Sequence, residues 1–184
     1  YTAKREFYKT TSPSMDILVS SNLERLLYHV TGSDAEVAGL MKSLNETGGY
    51  TVRPETLKAI QESFDCGWSS EEQVAGEIRA RCEKDGYLCD THTAVAFHVA
   101  AQKKRDGVPM VVLSTASPFK FPRSVLEALG HTAPENDFEA MQALEEATGR
   151  TAPASLAVLR QKAERFSTVI DPARIAEVAL SCQA

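Results

Sequence analysis

This 184-residue chain contains no apolar run long enough to cross a membrane as a helix, and runs such as Met110–Leu113 have only the length of a strand. It also lacks an excess of basic residues, since 20 Lys and Arg stand against 25 Asp and Glu, for a net charge of −5. Nucleic-acid-binding surfaces need clustered positive charge, and the one basic cluster, Lys103–Arg105, has the character of a solvated helix end. The sequence therefore predicts neither a membrane protein nor a nucleic-acid-binding protein.

Cysteine and glycine are used in ways that disfavour two common kinds of site. No two cysteines have CxxC spacing, and no histidines stand near them in zinc-finger order. We therefore expect no metal site, and reduced, mostly buried thiols in a cytoplasmic protein. Glycine forms a single doublet, Gly48–Gly49, so the chain has no glycine-rich loop to hold a phosphate. The cysteines are Cys66, Cys82, Cys89 and Cys182.

The organisation of the chain is that of one domain or part of one. It begins with Tyr1 rather than Met, and no signal peptide follows, so we interpret it as trimmed from a longer polypeptide. The run Thr151–Ala154 predicts an extended linker before a helical tail at the C-terminus.

Helix-start signals recur along the chain. A side chain that accepts a backbone N–H is followed three residues later by Glu at three places: Ser33–Glu36, Ser69–Glu72 and Asn136–Glu139. Asp90 or Thr91 can begin a further helix, and Pro122 suits the first turn of another. Most of the chain is therefore predicted to be helical.

Strand signals are few. Residues 110–114 form a continuous, largely apolar run without alternation, which is typical of a strand buried on both faces. The run lies between two predicted helices, and this is the order found in parallel sheets. Residues 6–10 predict a second, short strand, and residues 49–52 a weaker one. We therefore expect a helix-rich α/β fold with a mainly parallel sheet.

Two hydroxyl side chains, Ser114 and Thr115, close the strongest predicted strand. Ligands of open parallel sheets bind beyond the carboxyl ends of the strands, because loops and helix N-termini converge there. The pair is therefore a candidate ligand contact. The alternative is that Thr115 only caps the end of the strand.

Two further positions carry chemistry that the residues alone leave open. His92 stands at a predicted helix start, where it could donate to a phosphate, hold a neighbouring loop or cap the helix. Lys120 follows the predicted strand 110–114, and it either supports the loop, faces an anion or is an ordinary surface lysine.

The run Thr11–Arg25 combines an apolar stretch with small polar side chains. Its residues 15–19 predict a buried helical turn. Ser14, Asp16 and Asn22 could line a pocket beside that turn. Alternatively, Asp16 is a carboxylate at a helix start, stabilised by the helix dipole.

Three runs, in this order and at this spacing, resemble the C-terminal part of the threonine synthase family: Thr11–Arg25, Tyr87–Ala96 and Val111–Phe121. The resemblance implies a three-layer domain of pyridoxal-phosphate (PLP) fold type II with a mainly parallel sheet. It makes residues 1–184 the C-terminal part of the large domain, with strands at 6–10 and 110–114 and a helical tail over 151–184.

By this resemblance the full-length protein uses PLP to convert O-phospho-L-homoserine and water into L-threonine and phosphate. The hydroxyl of Thr115, or that of Ser114 as a second choice, would face the pyridine nitrogen of PLP. The family's PLP-anchoring lysine lies upstream, so we expect no catalytic residue in this segment and an inactive isolated segment. The residues assigned to the substrate or pocket are Ser14, Asp16, Asn22, His92 and Lys120.

The resemblance implies the remainder of the threonine synthase chain as a partner. A fragment cut through its sheet would expose apolar edges, and a homodimer that covers them is a separate hypothesis. Two alternatives stay open. One is another fold-type-II PLP lyase or dehydratase, which the run Ser12–Ile17 disfavours because it is particular to threonine synthase. The other is a non-catalytic threonine-synthase-like protein that binds a phosphorylated metabolite or a partner.

Overall fold

The computed structural model describes residues 1–181 and divides the chain into two compact units. The first unit comprises Tyr1–Ala152, and the second begins at Pro153. Within residues 1–181, no helix is both long enough and apolar enough to span a membrane.

Helices dominate the first unit, and their ends follow local capping chemistry. Asn136 begins one of them by accepting the backbone N–H groups of Phe138 and Glu139. Gly48 ends another in the left-handed conformation at a φ of 83°, which costs a glycine little. The helices are α1 (Ser21–Thr31), α2 (Asp34–Thr47), α3 (Pro54–Ser63), α4 (Glu71–Asp85), α5 (Thr91–Lys103), α6 (Pro122–Ala128) and α7 (Asp137–Thr148).

One predicted helix start is displaced by a residue. The sequence predicts a cap at Ser69, but Ser70 is the residue that begins α4. The Ser70 hydroxyl accepts the N–H of Gln73, and the Gln73 side chain accepts the N–H of Ser70 in return. Both serines have a suitable partner three residues on, so the local pattern alone does not choose between them.

The predicted strands are not formed among the described residues. Residues 6–10, 49–52 and 110–114 form no strand, and the described residues hold only one isolated antiparallel bridge, between Thr2 and Gly49. A strand is defined by hydrogen bonds to a neighbouring strand, and residues 110–114 have none within residues 1–181. Val111 and Leu113 are 76% and 73% exposed, so this run is not buried on both faces. The structure therefore confirms the helix-rich character and not the sheet.

Two groups of apolar side chains hold the first unit together. In the first, Leu27 of α1 packs with Val37 and Leu44 of α2 and with Tyr50. The second lies where α4 contacts α5 and α6, and where α6 contacts α7. Its fully buried side chains are Ile78, Ala94, Val125, Leu126 and Leu144.

The second unit consists of short helical segments with much exposed surface. Phe166 and Val169 are among its exposed apolar side chains. Cys182, one of the predicted thiols, lies outside the described residues; of the other three, only Cys89 is buried. The segments are α8 (Ala154–Ala157), α9 (Ile175–Ser181) and the 3-10 turns Val158–Gln161 and Pro172–Arg174.

Candidate functional site

The candidate site includes the start of α5, where the fully buried Asp90 caps the helix. Its carboxylate accepts the backbone N–H groups of His92 at 2.9 Å and Thr93 at 3.3 Å, and it also accepts the Thr93 hydroxyl. A carboxyl cap of this kind accepts hydrogen bonds from the free N–H groups of the helix start, where the helix dipole favours an acceptor. The amide donors that would attract an external anion are therefore already engaged by Asp90.

His92 holds a neighbouring loop, which is one of the three roles that the sequence leaves open. The ring is buried, and its Nε2 accepts the backbone N–H of Ser14 at 3.3 Å. Because Nε2 accepts a hydrogen bond, the ring proton is placed on Nδ1, which lies 3.3 Å from the Asp90 carboxylate. The ring also packs against Phe121, with centroids 4.8 Å apart. In this geometry Nε2 is an acceptor and does not donate to a phosphate.

A second contact fixes the same loop to α5. The Thr91 hydroxyl donates to the backbone oxygen of Thr11 at 2.8 Å, across 80 residues of sequence. Ser12, next in the chain, is only 2% exposed, and its hydroxyl has no hydrogen-bond partner among the described residues. Thr91 and His92 together attach residues 11–14 to the start of α5. We call this arrangement the α5 clamp.

Asp16 braces the loop from within rather than starting a helix. It follows the 3-10 turn Pro13–Met15, and α1 begins only at Ser21, so the expectation of a helix-start carboxylate is wrong. Its carboxylate accepts the backbone N–H of Thr10 at 2.8 Å and the Thr10 hydroxyl at 2.7 Å. These donors, the backbone N–H first, hold the pKa of Asp16 below its ordinary value because they favour the ionised form.

Replacing Thr10 by Val is expected to raise the pKa of Asp16 part of the way back, since the backbone donor stays. Because the folded-state pKa is lowered, ionised Asp16 stabilises the fold above its unfolded pKa of about 3.9, and that contribution is lost as the pH falls through the folded value. Carboxyl 13C shifts measured against pH report the change, with Thr47→Val as a remote control. An Asp16 pKa that is equal in parent and Thr10→Val would contradict the brace.

The rest of the opening run is more exposed than its sequence predicts. Met15, Ile17 and Val19 are all about half exposed and do not form a buried helical turn. The Pro13–Met15 turn is too short to bury an apolar face. Asn22 lies in the first turn of α1, where its side chain accepts a hydrogen bond from Arg25 on the exposed surface. Thus His92 contacts Ser14, while Asn22 pairs within α1.

The candidate cofactor-binding pair lies on an exposed segment. Ser114 and Thr115 are both exposed, and the Ser114 hydroxyl accepts the Tyr87 hydroxyl at 3.0 Å. Lys120 is exposed at the end of the 3-10 turn Pro118–Lys120, which Ser117 caps. Tyr87 is not among the site residues predicted from the sequence. It is the first residue of the run Tyr87–Ala96, which also contains the predicted site residue His92.

A cavity of about 210 Å³ borders the α5 clamp. Its wall combines apolar side chains of α4 with two acidic residues, and Glu71 also accepts the backbone N–H of Thr11 at 3.1 Å. Glu71 could not be predicted from the sequence, because no local pattern relates it to Thr11, which lies 60 residues earlier. The lining residues are Thr11, Glu71, Val74, Ala75, Ile78, Thr91, Ser124, Glu127 and Ala128.

The fold of the chain is similar to that of solved threonine synthases. The chain superposes on PLP-bound threonine synthase from Brucella melitensis with a TM-score of 0.76 and 40% identity, covering 96% of this chain and 34% of that one. Threonine synthase from yeast matches with a TM-score of 0.74 at 24% identity, which supports the fold alone.

The sequence comparisons agree. Residues 93–179 match the family model described as threonine synthase, C-terminal. Threonine synthases of Methylobacillus glycogenes and Pseudomonas aeruginosa are each 38% identical over 127 residues. The resemblance to the C-terminal part of threonine synthase, predicted from three motifs, is therefore confirmed. The chain spans 27% of the length of each of these two enzymes.

Proposed function

We propose that this chain is the C-terminal part of a threonine synthase, and that the full-length protein converts O-phospho-L-homoserine and water into L-threonine and phosphate. The observation that carries the proposal is the 40% identity to a PLP-bound threonine synthase, maintained over 96% of the chain. The matched enzyme is about three times longer, so the complete active site requires residues that this chain does not contain.

The residues present fit one end of PLP. Ser114 and Thr115 are exposed, neutral hydroxyls, and a hydroxyl donates readily to an unprotonated pyridine nitrogen. Because Ser114 accepts from Tyr87, its own proton is free for another partner. The sequence has no glycine-rich loop for the phosphate of PLP. PLP, when bound, supplies an electron sink for the carbanions of the reaction.

The chain's own residues bind and orient in this proposal. Thr115 would donate to the ring nitrogen of bound PLP, and a neutral donor there would leave the ring a milder electron sink than a carboxylate. The α5 clamp holds Ser14, and Thr10 holds Asp16, in one loop beside the start of α5. Lys120, exposed beyond the hydroxyl pair, is available to an anionic group of the substrate. Proton transfer is assigned to the anchoring lysine upstream, and the isolated segment is therefore inactive.

The exposed run at residues 110–114 fits a chain that needs a partner segment. Val111 is strand-favouring and Leu113 is apolar, yet both side chains are exposed to solvent here. In the full-length protein we expect this run to pair within the parallel sheet and the hydroxyl pair to face the ligand from its carboxyl end. In the absence of the rest of the chain, a second copy would cover the same apolar surface in a homodimer.

The direct test is an assay of the full-length protein with three substrates. We expect PLP-dependent release of phosphate and formation of threonine from O-phospho-L-homoserine, with little turnover of serine or threonine. Preferred turnover of serine or threonine would instead identify a dehydratase of the same fold.

Thr115→Val in the full-length protein is expected to lower kcat about tenfold without unfolding it. The valine has the same shape but cannot donate, and the net loss of one hydrogen bond is about 1–1.5 kcal/mol. Steady-state kinetics measure the change, and circular dichroism checks the fold. Equal kcat in Thr115→Val and its parent would remove Thr115 from the site.

A second candidate function stays open because some relatives are named threonine synthase-like and not threonine synthase. Human threonine synthase-like 1 is 33% identical over 127 residues, and this chain covers 17% of it. The second candidate is a non-catalytic threonine-synthase-like protein that binds a phosphorylated metabolite or a partner. Sequence upstream of Tyr1 separates the two, because the enzyme requires an anchoring lysine and a glycine-rich phosphate loop there.

A further inference from the structure

The segment carrying the hydroxyl pair is attached to the rest of the first unit by a single described hydrogen bond. Among residues 109–115, neither the backbone nor any other side chain makes a hydrogen bond in the described part of the chain. The exception is Ser114, whose hydroxyl accepts from Tyr87 at 3.0 Å. Within the described residues, the side chain that holds this segment next to Thr115 is therefore Tyr87.

Tyr87 is itself fixed by both its backbone and its ring. Its N–H donates to the backbone oxygen of Arg81 at 3.0 Å, at the end of α4. Its ring meets Phe97 of α5 edge to face, with centroids 6.0 Å apart. The Arg81 guanidinium lies 5.1 Å from the centroid of the Phe97 ring and is paired with Glu77 and Asp85. A rigid pair of helices thus presents the Tyr87 hydroxyl to the segment.

The contact distinguishes the roles of the two neighbouring hydroxyls. An extended conformation at Ser114 and Thr115 is part of the inference, and in an extended run adjacent side chains point to opposite sides. A Ser114 side chain that faces Tyr87 therefore turns the Thr115 side chain away from Tyr87. Ser114 is then an anchor, and Thr115 is the hydroxyl left for a ligand.

We propose that Tyr87 is a positioning residue, which holds Ser114 so that Thr115 presents its hydroxyl to the pyridine nitrogen of PLP. This inference rests on the proposed function, and it deepens it by separating a hydroxyl that holds the segment from one that contacts the cofactor.

The contact itself is tested in the cofactor-free full-length protein by hydrogen exchange and mass spectrometry. Tyr87→Phe removes only the hydroxyl. We expect sheet pairing to protect the amides of residues 110–114 in the full-length parent, and peptides that cover residues 109–116 to exchange several times faster in the variant. Tyr28→Phe is the matched control, because Tyr28 is also exposed and no hydrogen bond of its hydroxyl is described. Equal exchange in Tyr87→Phe and Tyr28→Phe would overturn the proposal.

The role toward the cofactor is tested by PLP affinity and by the absorption and emission spectra of bound PLP. Tyr87→Phe and Ser114→Ala should each weaken PLP binding about fivefold, and the double variant should equal either single one, because both remove the same bond. Thr115→Val should shift the spectra of bound PLP, and Thr115→Ser should restore them, because only Thr115 contacts the ring.

The outcomes separate this inference from the proposed function. Independent, multiplicative losses in the double variant, or a spectral shift with Ser114→Ala and none with Thr115→Val, would overturn the assignment of roles while leaving a PLP enzyme. A parent protein that takes up no PLP would overturn the proposed function and this inference with it.

Discussion

Asp90→Ala is expected to lower the free energy of unfolding by about 3 kcal/mol. Loss of a helix cap costs about 0.5–2 kcal/mol, and each buried donor left without a partner costs about 1–3 kcal/mol. Asp90 is fully buried and accepts from two backbone amides and the Thr93 hydroxyl, so both costs apply. Urea unfolding of the chain, followed by circular dichroism, measures the loss.

Asn136→Ala is the matched control for that substitution. Asn136 also accepts two backbone N–H groups at a helix start, but it does so on the surface, where water replaces the lost acceptor. We expect this variant to lose only about 1 kcal/mol. Equal losses at Asp90 and Asn136 would show that burial of the Asp90 cluster contributes nothing to the stability of α5.

Leu126→Ala is expected to lower the free energy of unfolding by about 2–5 kcal/mol, because it deletes buried methyl groups and leaves a cavity. Leu126 is 1% exposed on α6, which packs against both α4 and α7. The same α6 supplies Ser124, Glu127 and Ala128 to the cavity beside the α5 clamp. The variant should therefore loosen the clamp as well as the core.

The loss at Leu126 is compared with Leu57→Ala, which removes the same atoms from a leucine that is 46% exposed on α3. The exposed site should lose clearly less, since fewer contacts and less buried area are involved. Urea midpoints with unchanged m-values give both numbers. A Leu126→Ala variant as stable as Leu57→Ala would contradict the packing of α6 between α4 and α7.

Helix starts were largely predictable because capping is local. The caps at Ser33, Asp90 and Asn136 are all found in the structure. The displacement from Ser69 to Ser70 has the same origin, because two adjacent serines both satisfy a pattern that spans four residues. A helix start that depends on one turn of chain is therefore predictable from the sequence to within one residue.

The strands were not predictable, because a strand needs a neighbour as well as a suitable composition. Residues 110–114 have the composition of a buried strand, and yet no other described segment pairs with them. Composition reports how well a segment fits a sheet, and the sheet itself is a long-range arrangement of other segments. The exposed side chains of Val111 and Leu113 are the consequence.

The contacts of the candidate site residues could not be predicted from the sequence, and their roles toward a ligand stay predictions. His92 was a candidate for three roles, and the choice depends on Ser14, which lies 78 residues earlier in the chain. The role of Tyr87 depends in the same way on Ser114, 27 residues further on. Contacts between residues this far apart in the sequence depend on tertiary packing, which no local pattern encodes.

The most direct test of the account is a crystal structure of the full-length protein with PLP bound. We expect the Thr115 hydroxyl to lie within about 2.7–3.2 Å of the pyridine nitrogen, and the Ser114 side chain to face the Tyr87 hydroxyl. A pyridine nitrogen that meets a carboxylate, or that lies well beyond hydrogen-bond distance from both hydroxyls, would contradict it.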